Sequence, residues 1–243
     1  MTAEEKISLA RFLDLAAASA GSGYLNGEKE YCFNDDPAGR VSGPPVTDPP
    51  SPLPESGDSL TKIAEEIKAC SLCRLCESRT KAVPGEGVTN PIVMVIGEGP
   101  GADEDTSGRP FVGRAGFLLD KMLASIGLSR EKNCFIANII KCRPPANRDP
   151  LPDETAFCGP FLERQIRLLK PRFILCAGRI SAQTLMRSTE PVGRLRGKIT
   201  KLETGGAEIP LIATYHPSAV LRNEDLKRPV WEDLKMLRSA IDG

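Results

Sequence analysis

Residues 92–101, IVMVIGEGPG, join a run of five apolar residues to a glycine-rich exit. A short apolar run of this kind is typical of a strand in a parallel sheet, whose two faces are both covered. The glycines that follow allow the backbone to adopt positive φ angles and to approach a ligand closely. The stretch therefore predicts a buried β-strand that leads into a candidate binding loop.

Strands and amphipathic helices alternate along the rest of the chain. Further strands are predicted at Cys134–Ile140, Phe173–Ala177 and Leu211–Thr214. Helices are predicted from apolar residues at helical spacing: after Gly116 (Leu119, Met122, Leu123, Ile126), after a cap at Asp153 (Cys158, Leu162, Ile166, Leu169) and at the end (Val230, Leu234, Leu237, Ile241). The alternation predicts a three-layer α/β/α fold with a central, mostly parallel four-stranded sheet. Ligands bind such sheets beyond the carboxyl ends of the strands.

The composition separates an N-terminal extension from a folded domain. The 243 residues are 40% hydrophobic and 26% charged, ordinary values for a soluble protein. Residues 44–57 contain six prolines in fourteen positions, which is typical of an extended linker. We expect an extension over residues 1–57, with a short helix in its first 20 residues, and a folded domain over residues 58–243.

The net charge of zero hides an asymmetry that bears on partners. Residues 1–57 carry nine acids and four bases, so the remainder carries a matching excess of five bases. This basic excess permits DNA binding. No apolar run approaches the roughly 20 residues of a membrane span, and the acidic N-terminus is unlike a secretory signal. We expect a cytoplasmic protein with no membrane partner.

Unusual residues follow the predicted strands. The loop of residues 97–105, GEGPGADED, combines glycines with carboxylates, and Phe111 lies between glycines in GRPFVGRAG (108–116), where its ring either stacks on a ligand or fills the core. Asn138 lies inside an apolar strand, where its amide either pairs with a base edge or makes a structural hydrogen bond. His216, the only histidine of the chain, comes directly after a strand, in YHPSAVLR. These positions predict a site at the carboxyl edge of the sheet.

The motifs resemble those of the family 4 uracil-DNA glycosylases, the iron–sulfur branch of the uracil-DNA glycosylase superfamily. The likeness runs from about Ile63 to Ile241, with GEGPG, GRPFVGRAG, NIIKCRPP and HPS in the expected order. It implies a uracil-DNA glycosylase-like fold. It also implies a monomeric hydrolase that cuts the N-glycosidic bond of uracil in single- or double-stranded DNA and so starts base-excision repair.

The resemblance assigns a role to each pocket residue. Phe111 stacks on the flipped uracil, with Gly99 in the same pocket, and Asn138 reads the Watson–Crick edge of the base. His216 bonds the uracil O2 as negative charge develops there. Glu98, with Glu104 as the second candidate, positions water or stabilises the sugar cation. These roles suit the chemistry, because bond cleavage leaves an oxocarbenium-like sugar and a uracil anion.

The residues around the pocket are candidate DNA contacts. Val220 and Leu221 are expected to enter the gap that the extruded base leaves, and Arg222 is expected to hold a phosphate. Ser218 of the same motif and Arg143 after the second strand are further candidates for contact with the DNA.

Eight cysteines in a cytoplasmic chain favour metal, cluster or redox chemistry over disulfides. By ligand type alone, four thiolates suit a [4Fe–4S] cluster and a zinc ion equally. The resemblance favours a [4Fe–4S] cluster with a structural role, held by Cys70, Cys73, Cys142 and Cys158. Cys76 is either a spare thiol or a replacement for Cys73. Cys134 and Cys176 lie in apolar strands and are expected in the core.

Two other functions are disfavoured by the motifs. A relative that traps uracil-DNA covalently carries a basic, histidine-containing insertion after the second strand, whereas residues 143–148 contain no histidine. An electron-transfer protein that uses the cluster would not need Asn138, Phe111 and His216 at the ends of separate strands.

Overall fold

The computed structural model describes residues 57–243. Helices cover both faces of one six-stranded sheet. The helix predicted in the first 20 residues and the proline-rich linker lie outside the described residues. No helix of residues 57–243 is long and apolar enough to cross a membrane.

The sheet contains the four predicted parallel strands and two more. Its strands are β1 (Glu86–Gly87), β2 (Val93–Gly97), β3 (Cys134–Asn138), β4 (Phe173–Ala177), β5 (Ile199–Thr204) and β6 (Ala207–Thr214). The spatial order is β1-β3-β2-β4-β6-β5. Strands β3, β2, β4 and β6 run parallel, whereas β1 and β5 pair antiparallel at the two edges. The mostly parallel α/β/α fold is therefore confirmed, and the predicted strand number of four is wrong.

The two edge strands escaped prediction because neither carries an apolar run. Strand β1 has two residues, one of them a glycine. Strand β5 exposes every second residue and only half-buries the others, since one side of it faces solvent. Apolar runs identify strands that are covered on both faces, and these two strands are not.

Nine helices and two short 3₁₀ turns connect the described strands. The helices are α1 (Leu60–Ala69), α2 (Leu75–Ser78), α3 (Ala102–Ser107), α4 (Arg114–Ala124), α5 (Pro152–Leu169), α6 (Arg179–Met186), α7 (Val192–Leu195), α8 (Pro217–Arg222) and α9 (Lys227–Asp242); the turns are Pro145–Asn147 and Glu224–Leu226. The three long helices that periodicity predicts are confirmed as α4, α5 and α9. Asp153 does not cap α5: Leu151 occupies that position, and its backbone N–H donates to Glu154 at 2.8 Å.

Two hydrophobic clusters lie on opposite faces of the sheet. Successive side chains of a strand point to opposite faces. Val93 and Val95 of β2 pack with α4, α8 and α9, whereas Met94 and Ile96 pack with α1, α5 and α6. All residues of β2, β3 and β4 are buried, which explains their continuous apolar sequences.

An arginine of α5 fixes the start of the described chain. Arg164 donates to both carboxylate oxygens of Asp58, at 2.9 and 2.7 Å, and to the carboxylate of Glu66 on α1. The side chain of Asp58 is 4% exposed and that of Arg164 is 15% exposed. Hydrogen bonding to Arg164 holds the pKa of Asp58 and of Glu66 below their ordinary values. Asp58 is therefore part of the folded domain, next to the predicted boundary.

We expect Asp58→Asn to lower the free energy of unfolding by about 1–3 kcal/mol, because it breaks charge-assisted hydrogen bonds in a shielded position. The difference in free energy of unfolding between wild type and variant should shrink in acid. A carboxylate with a lowered pKa loses its contribution to stability as the pH falls through that pKa. Denaturant unfolding at pH 7 and pH 3 measures both effects. Glu190→Gln is the matched control, because Glu190 pairs with Arg194 at an exposed site and should cost under about 0.5 kcal/mol. Equal losses of unfolding free energy in the two variants would contradict the structural role assigned to Asp58.

Candidate active site

The carboxyl ends of the parallel strands bring the predicted pocket residues together. Gly97, the last residue of β2, marks their meeting point: a Cβ atom there would lie 2.5 Å from the Asn138 Oδ1 and 2.6 Å from the Phe111 Cζ. The Phe111 ring stacks on the His216 ring, with centroids 5.5 Å apart and planes 30° apart. Four residues from separate segments thus converge on one site.

Asn138 is buried, yet part of its amide is unpaired. The residue is 1% exposed, and its Oδ1 has no hydrogen-bond partner within residues 57–243. An unpaired buried acceptor costs about 1–3 kcal/mol, so such atoms are rare in native proteins. A ligand that donates an N–H at this point would remove that cost. The Asn138 amide therefore marks a binding pocket.

Phe111 has a strained backbone. Its φ angle is 51°, in the left-handed region that costs a residue with a side chain about 1–2 kcal/mol. The residue is 5% exposed, and a Cβ atom on Gly116 would lie 2.0 Å from the Phe111 carbonyl oxygen. Helix α4 therefore packs directly against this backbone. Strain of this kind persists where the surroundings enforce it, and it clusters at ligand sites.

His216 is held as a neutral ring immediately before α8. Its Nδ1 accepts a hydrogen bond from the Ser218 backbone N–H at 3.1 Å, and the Ser218 hydroxyl lies 2.8 Å from the same nitrogen. Because Nδ1 accepts, the proton of the neutral ring lies on Nε2. Burial lowers the pKa of His216 to about 4, assisted by the charge of Arg222 and opposed by Glu104. At neutral pH the ring therefore offers a neutral Nε2–H donor.

Glu104 organises the loops around the pocket. Its Oε1 accepts hydrogen bonds from the backbone N–H groups of Val112, at 2.9 Å, and Gly113, at 3.0 Å. Its Oε2 accepts from the N–H of Gly101 at 3.1 Å. The carboxylate thus connects the exit of β2 to the loop that carries Phe111. This geometry favours a positioning role for Glu104 over contact with the substrate.

Glu98, directly after β2, has a different environment. Burial raises the pKa of its carboxyl group to about 7, and the charge of Asp149 acts in the same direction against Arg179. Asp149 and Arg179 form an ion pair of 2.5 Å between their side chains. Carboxyl groups with a pKa near the working pH are common among catalytic residues. Glu98 is therefore the better candidate for the catalytic carboxylate.

The structure corrects one of the predicted DNA contacts. Val220 is 1% exposed because α8 turns it into the core, so it does not reach a DNA duplex. Ser218 gives its N–H and its hydroxyl to His216, which ties it to the pocket, and its contact with DNA stays a prediction. Leu221 and Arg143 are half-buried and Arg222 is exposed. The DNA contacts of these three residues stay predictions.

Five cysteines line one cavity between α1, α2, the exit of β3 and α5: Cys70, Cys73, Cys76, Cys142 and Cys158. Cys134 and Cys176 are fully buried in the core, as predicted. Within the described residues, no three His, Cys, Asp or Glu side chains surround a point where a single metal ion could bind. The cavity therefore contains the four predicted ligands together with Cys76.

Two cations contact this cavity. Arg79 donates to the Cys142 sulfur at 3.0 Å. Lys141 is 1% exposed, and its Nζ donates to the backbone oxygen of Asn138 and to the Oε1 of Gln165, both at 2.9 Å. Burial raises the pKa of the Cys142 and Cys158 thiols, and the positive charges of Arg79 and Lys141 oppose this shift and so favour the thiolate forms that bind a metal group. Lys141 also connects the cysteine cavity to the strand end that carries the pocket amide.

Known proteins match the same part of the chain. The sequence profile of the uracil DNA glycosylase superfamily matches residues 84–235. Type-4 uracil-DNA glycosylases of Pyrobaculum aerophilum, Archaeoglobus fulgidus and Thermotoga maritima are 46%, 43% and 41% identical to the chain. These alignments cover 73–74% of this chain and 92–93% of the relatives. The chain belongs to the type-4 uracil-DNA glycosylase family.

Family membership confirms the resemblance seen in the motifs, while the roles of single residues stay predictions. Sequence analysis missed two residues that support this type-4 glycosylase pocket. Lys141 stands inside the NIIKCRPP motif, and this position between Asn138 and Cys142 is the one signal that could have identified it. Arg130 lies in a turn without any motif, and only its contacts with the loop around Phe111 reveal it.

The tautomer of His216 can be tested directly, because it is the only histidine of the chain. With ¹⁵N-labelled histidine, NMR should show a neutral ring protonated on Nε2 at pH 6 and pH 7, with titration near pH 4. The same ring in denaturant should titrate near its ordinary pKa of 6.5. The folded state should therefore lose stability as the pH falls from about 6.5 towards 4, since the unfolded chain binds the proton more readily. Titration near 6.5 in the folded protein would contradict the assignment.

Proposed function

We propose that this chain hydrolyses the N-glycosidic bond of uracil in DNA, with the uracil extruded into the pocket formed by Phe111, Asn138 and His216. Membership of the type-4 family supports the reaction. The observation that carries the site is the buried, unpartnered Oδ1 of Asn138. A glycosylase must take its base out of the stack and read it in a closed pocket. The Asn138 Oδ1 needs a hydrogen-bond donor, and the N3–H group of uracil is such a donor.

Asn138 selects uracil through hydrogen bonds to the Watson–Crick edge of the base. The Oδ1 accepts from the uracil N3–H, and the amide NH₂ donates to O4. Cytosine has an amine in place of O4 and no proton on N3, so it presents the opposite pattern. The Phe111 ring stacks on the face of the base. Gly99 contributes backbone to the pocket wall, where a Cβ atom would lie 2.7 Å from Ile140.

His216 and Glu98 stabilise the two charges that bond cleavage creates. The Nε2–H of His216 donates to the uracil O2, and this bond strengthens as negative charge develops. Because the ring is neutral, His216 stabilises the leaving uracil as an anion and does not transfer a proton to it. The Glu98 carboxylate positions water or stabilises the positive sugar. Glu104 holds the loops that bring these groups together.

Exposed and half-buried residues near the pocket contact the DNA. Arg222, at the end of α8, binds a phosphate, and Arg143 contacts the backbone beyond β3. Leu221 enters the gap that the extruded base leaves, whereas Val220 is buried and does not. In this proposal the protein acts in the cytoplasm as a monomer, on uracil in single- or double-stranded DNA.

The cysteine cavity fits a [4Fe–4S] cluster held by Cys70, Cys73, Cys142 and Cys158. A structural zinc ion needs four ligands around a single point, whereas a [4Fe–4S] cluster is a larger group held by four thiolates. Five thiols line this cavity and Arg79 donates to one of them, so the site offers the thiolate ligands and the positive charge that such a cluster needs. When bound, the cluster would crosslink the α1–α2 segment to β3 and α5. In this assignment Cys76 is a spare thiol.

The proposed function is tested with an oligonucleotide that carries one uracil. Incubation followed by alkali should cleave the strand at that position. Asn138→Asp should slow uracil excision and raise cytosine excision relative to it, because the carboxylate repels O4 and accepts from the cytosine amine. We expect the uracil-to-cytosine ratio of single-turnover rates to fall about 10- to 100-fold, equivalent to about 1–3 kcal/mol. Asn133→Asp, beside the opposite end of β3, is the charge-matched control and should keep the wild-type ratio. An unchanged ratio in Asn138→Asp would show that another group reads the base.

Iron content tests the proposed cluster. Protein purified without oxygen should be brown and contain about four irons per chain. Cys142→Ser and Cys158→Ser should lose iron and unfold more easily, because the binding free energy of a structural metal group is partly folding free energy. Cys76→Ser should keep its iron, and Cys134→Ser is the control for a buried thiol outside the cavity. Stoichiometric zinc without iron would overturn the cluster, and iron loss in Cys76→Ser would change the ligand set.

A further inference from the structure

Arg130 is a buried arginine that holds the backbone of the pocket loop. The residue lies between α4 and β3 and is 7% exposed. Its guanidinium donates to two consecutive carbonyls, from Nη1 to Pro110 at 2.9 Å and from Nη2 to Phe111 at 2.8 Å. The planar fork of a guanidinium carries donors side by side, so it matches two neighbouring acceptors. The compact ammonium of a lysine does not.

Acidic residues of two other elements fix the orientation of this guanidinium. Asp120 on α4 accepts from its Nε at 3.0 Å and from its Nη2 at 2.8 Å. Glu86 on β1 accepts from its Nη1 at 3.4 Å. Every nitrogen of the guanidinium thus has a partner inside the protein. Arg130 is paired, as a buried charge must be, and it does not reach into the pocket.

The loop of Phe111 is held on both sides. Arg130 binds the carbonyls of Pro110 and Phe111, and Glu104 binds the next two N–H groups along the chain, those of Val112 and Gly113. Phe111 lies between these anchors with its left-handed φ of 51°. The two anchors account for how a strained backbone persists in a loop.

We infer that Arg130 is a positioning residue for uracil recognition, which acts through the backbone of Phe111 and sets the angle at which the ring meets the base. The inference rests on the proposed stacking of Phe111 on uracil. Without the guanidinium, the carbonyls of Pro110 and Phe111 lose their hydrogen bonds to residue 130. The left-handed conformation of Phe111 is then no longer enforced. Affinity for the extruded base then falls, while His216 and Glu98 keep their own contacts and the maximal rate changes less.

A double-mutant cycle tests the inference. The affinity of DNA with a non-cleavable uracil analogue is measured relative to that of the same DNA with thymine, for wild type, Arg130→Met, Phe111→Ala and the double variant. Loss of a base–aromatic stack weakens binding roughly 10- to 100-fold, and we expect about a 10-fold loss in Arg130→Met. Because Arg130 acts through Phe111, the double variant should bind no worse than Phe111→Ala. In single-turnover excision, Arg130→Met should raise the half-saturating enzyme concentration more than it lowers the maximal rate.

Two further variants separate positioning from general destabilisation. Arg164→Met breaks another arginine network, partly buried and away from the pocket, and should lower stability without changing relative affinity. Arg130→Lys keeps the positive charge but lacks the paired donors of a guanidinium, so it should still weaken relative binding. This variant replaces Arg130→Met in the test if Arg130→Met does not fold. Wild-type relative affinity in the folded Arg130 variants, or equal losses in the presence and absence of Phe111, would overturn the inference. Wild-type relative affinity in Phe111→Ala would overturn the stacking and the inference together, while uracil excision itself would stand.

Discussion

The close packing around Gly97 is the constraint on which the pocket depends. In the parallel register of β2 and β3, Gly97 lies beside Asn138, and the absence of a side chain at Gly97 lets the Phe111 ring approach the amide. A methyl group at this position would overlap both residues. The amide proposed to read the edge of a base and the ring proposed to cover its face therefore meet at one glycine of the β2–β3 pairing.

Lys141 extends this constraint to the other side of β3. Its Nζ binds the Asn138 carbonyl and the Gln165 side chain, and Gln165 in turn donates to the Pro84 carbonyl at 2.8 Å. A buried ammonium group is stable only with such partners. Since Cys142 is the next residue, the proposed cluster and the pocket amide share one short segment of backbone. Lys141 thus links the cysteine cavity to the residue that is proposed to read the base.

Residues with strong local patterns were predictable, whereas residues defined by contacts distant in sequence were not. The central strands and the long helices follow from their apolar patterns, and the pocket residues follow from motifs at strand ends. Strand β5 was missed because its half-exposed residues alternate weakly, and Val220 was misassigned because its position in a motif does not show which side of α8 faces the core. Arg130 contacts carbonyls 19 and 20 residues away, a relationship that local sequence does not encode.

The burial of Val220 has a consequence for how DNA is engaged. Helix α8 begins immediately after His216 and is anchored in the core by Val220, while Arg222, two residues later, faces solvent. The proposed phosphate contact and the proposed donor to the leaving uracil therefore lie on one continuous segment of seven residues, His216 to Arg222. A duplex that docks out of register at Arg222 also misplaces its sugar relative to His216. In the proposed function, alignment of the DNA strand and readiness for bond cleavage are therefore coupled through this one segment.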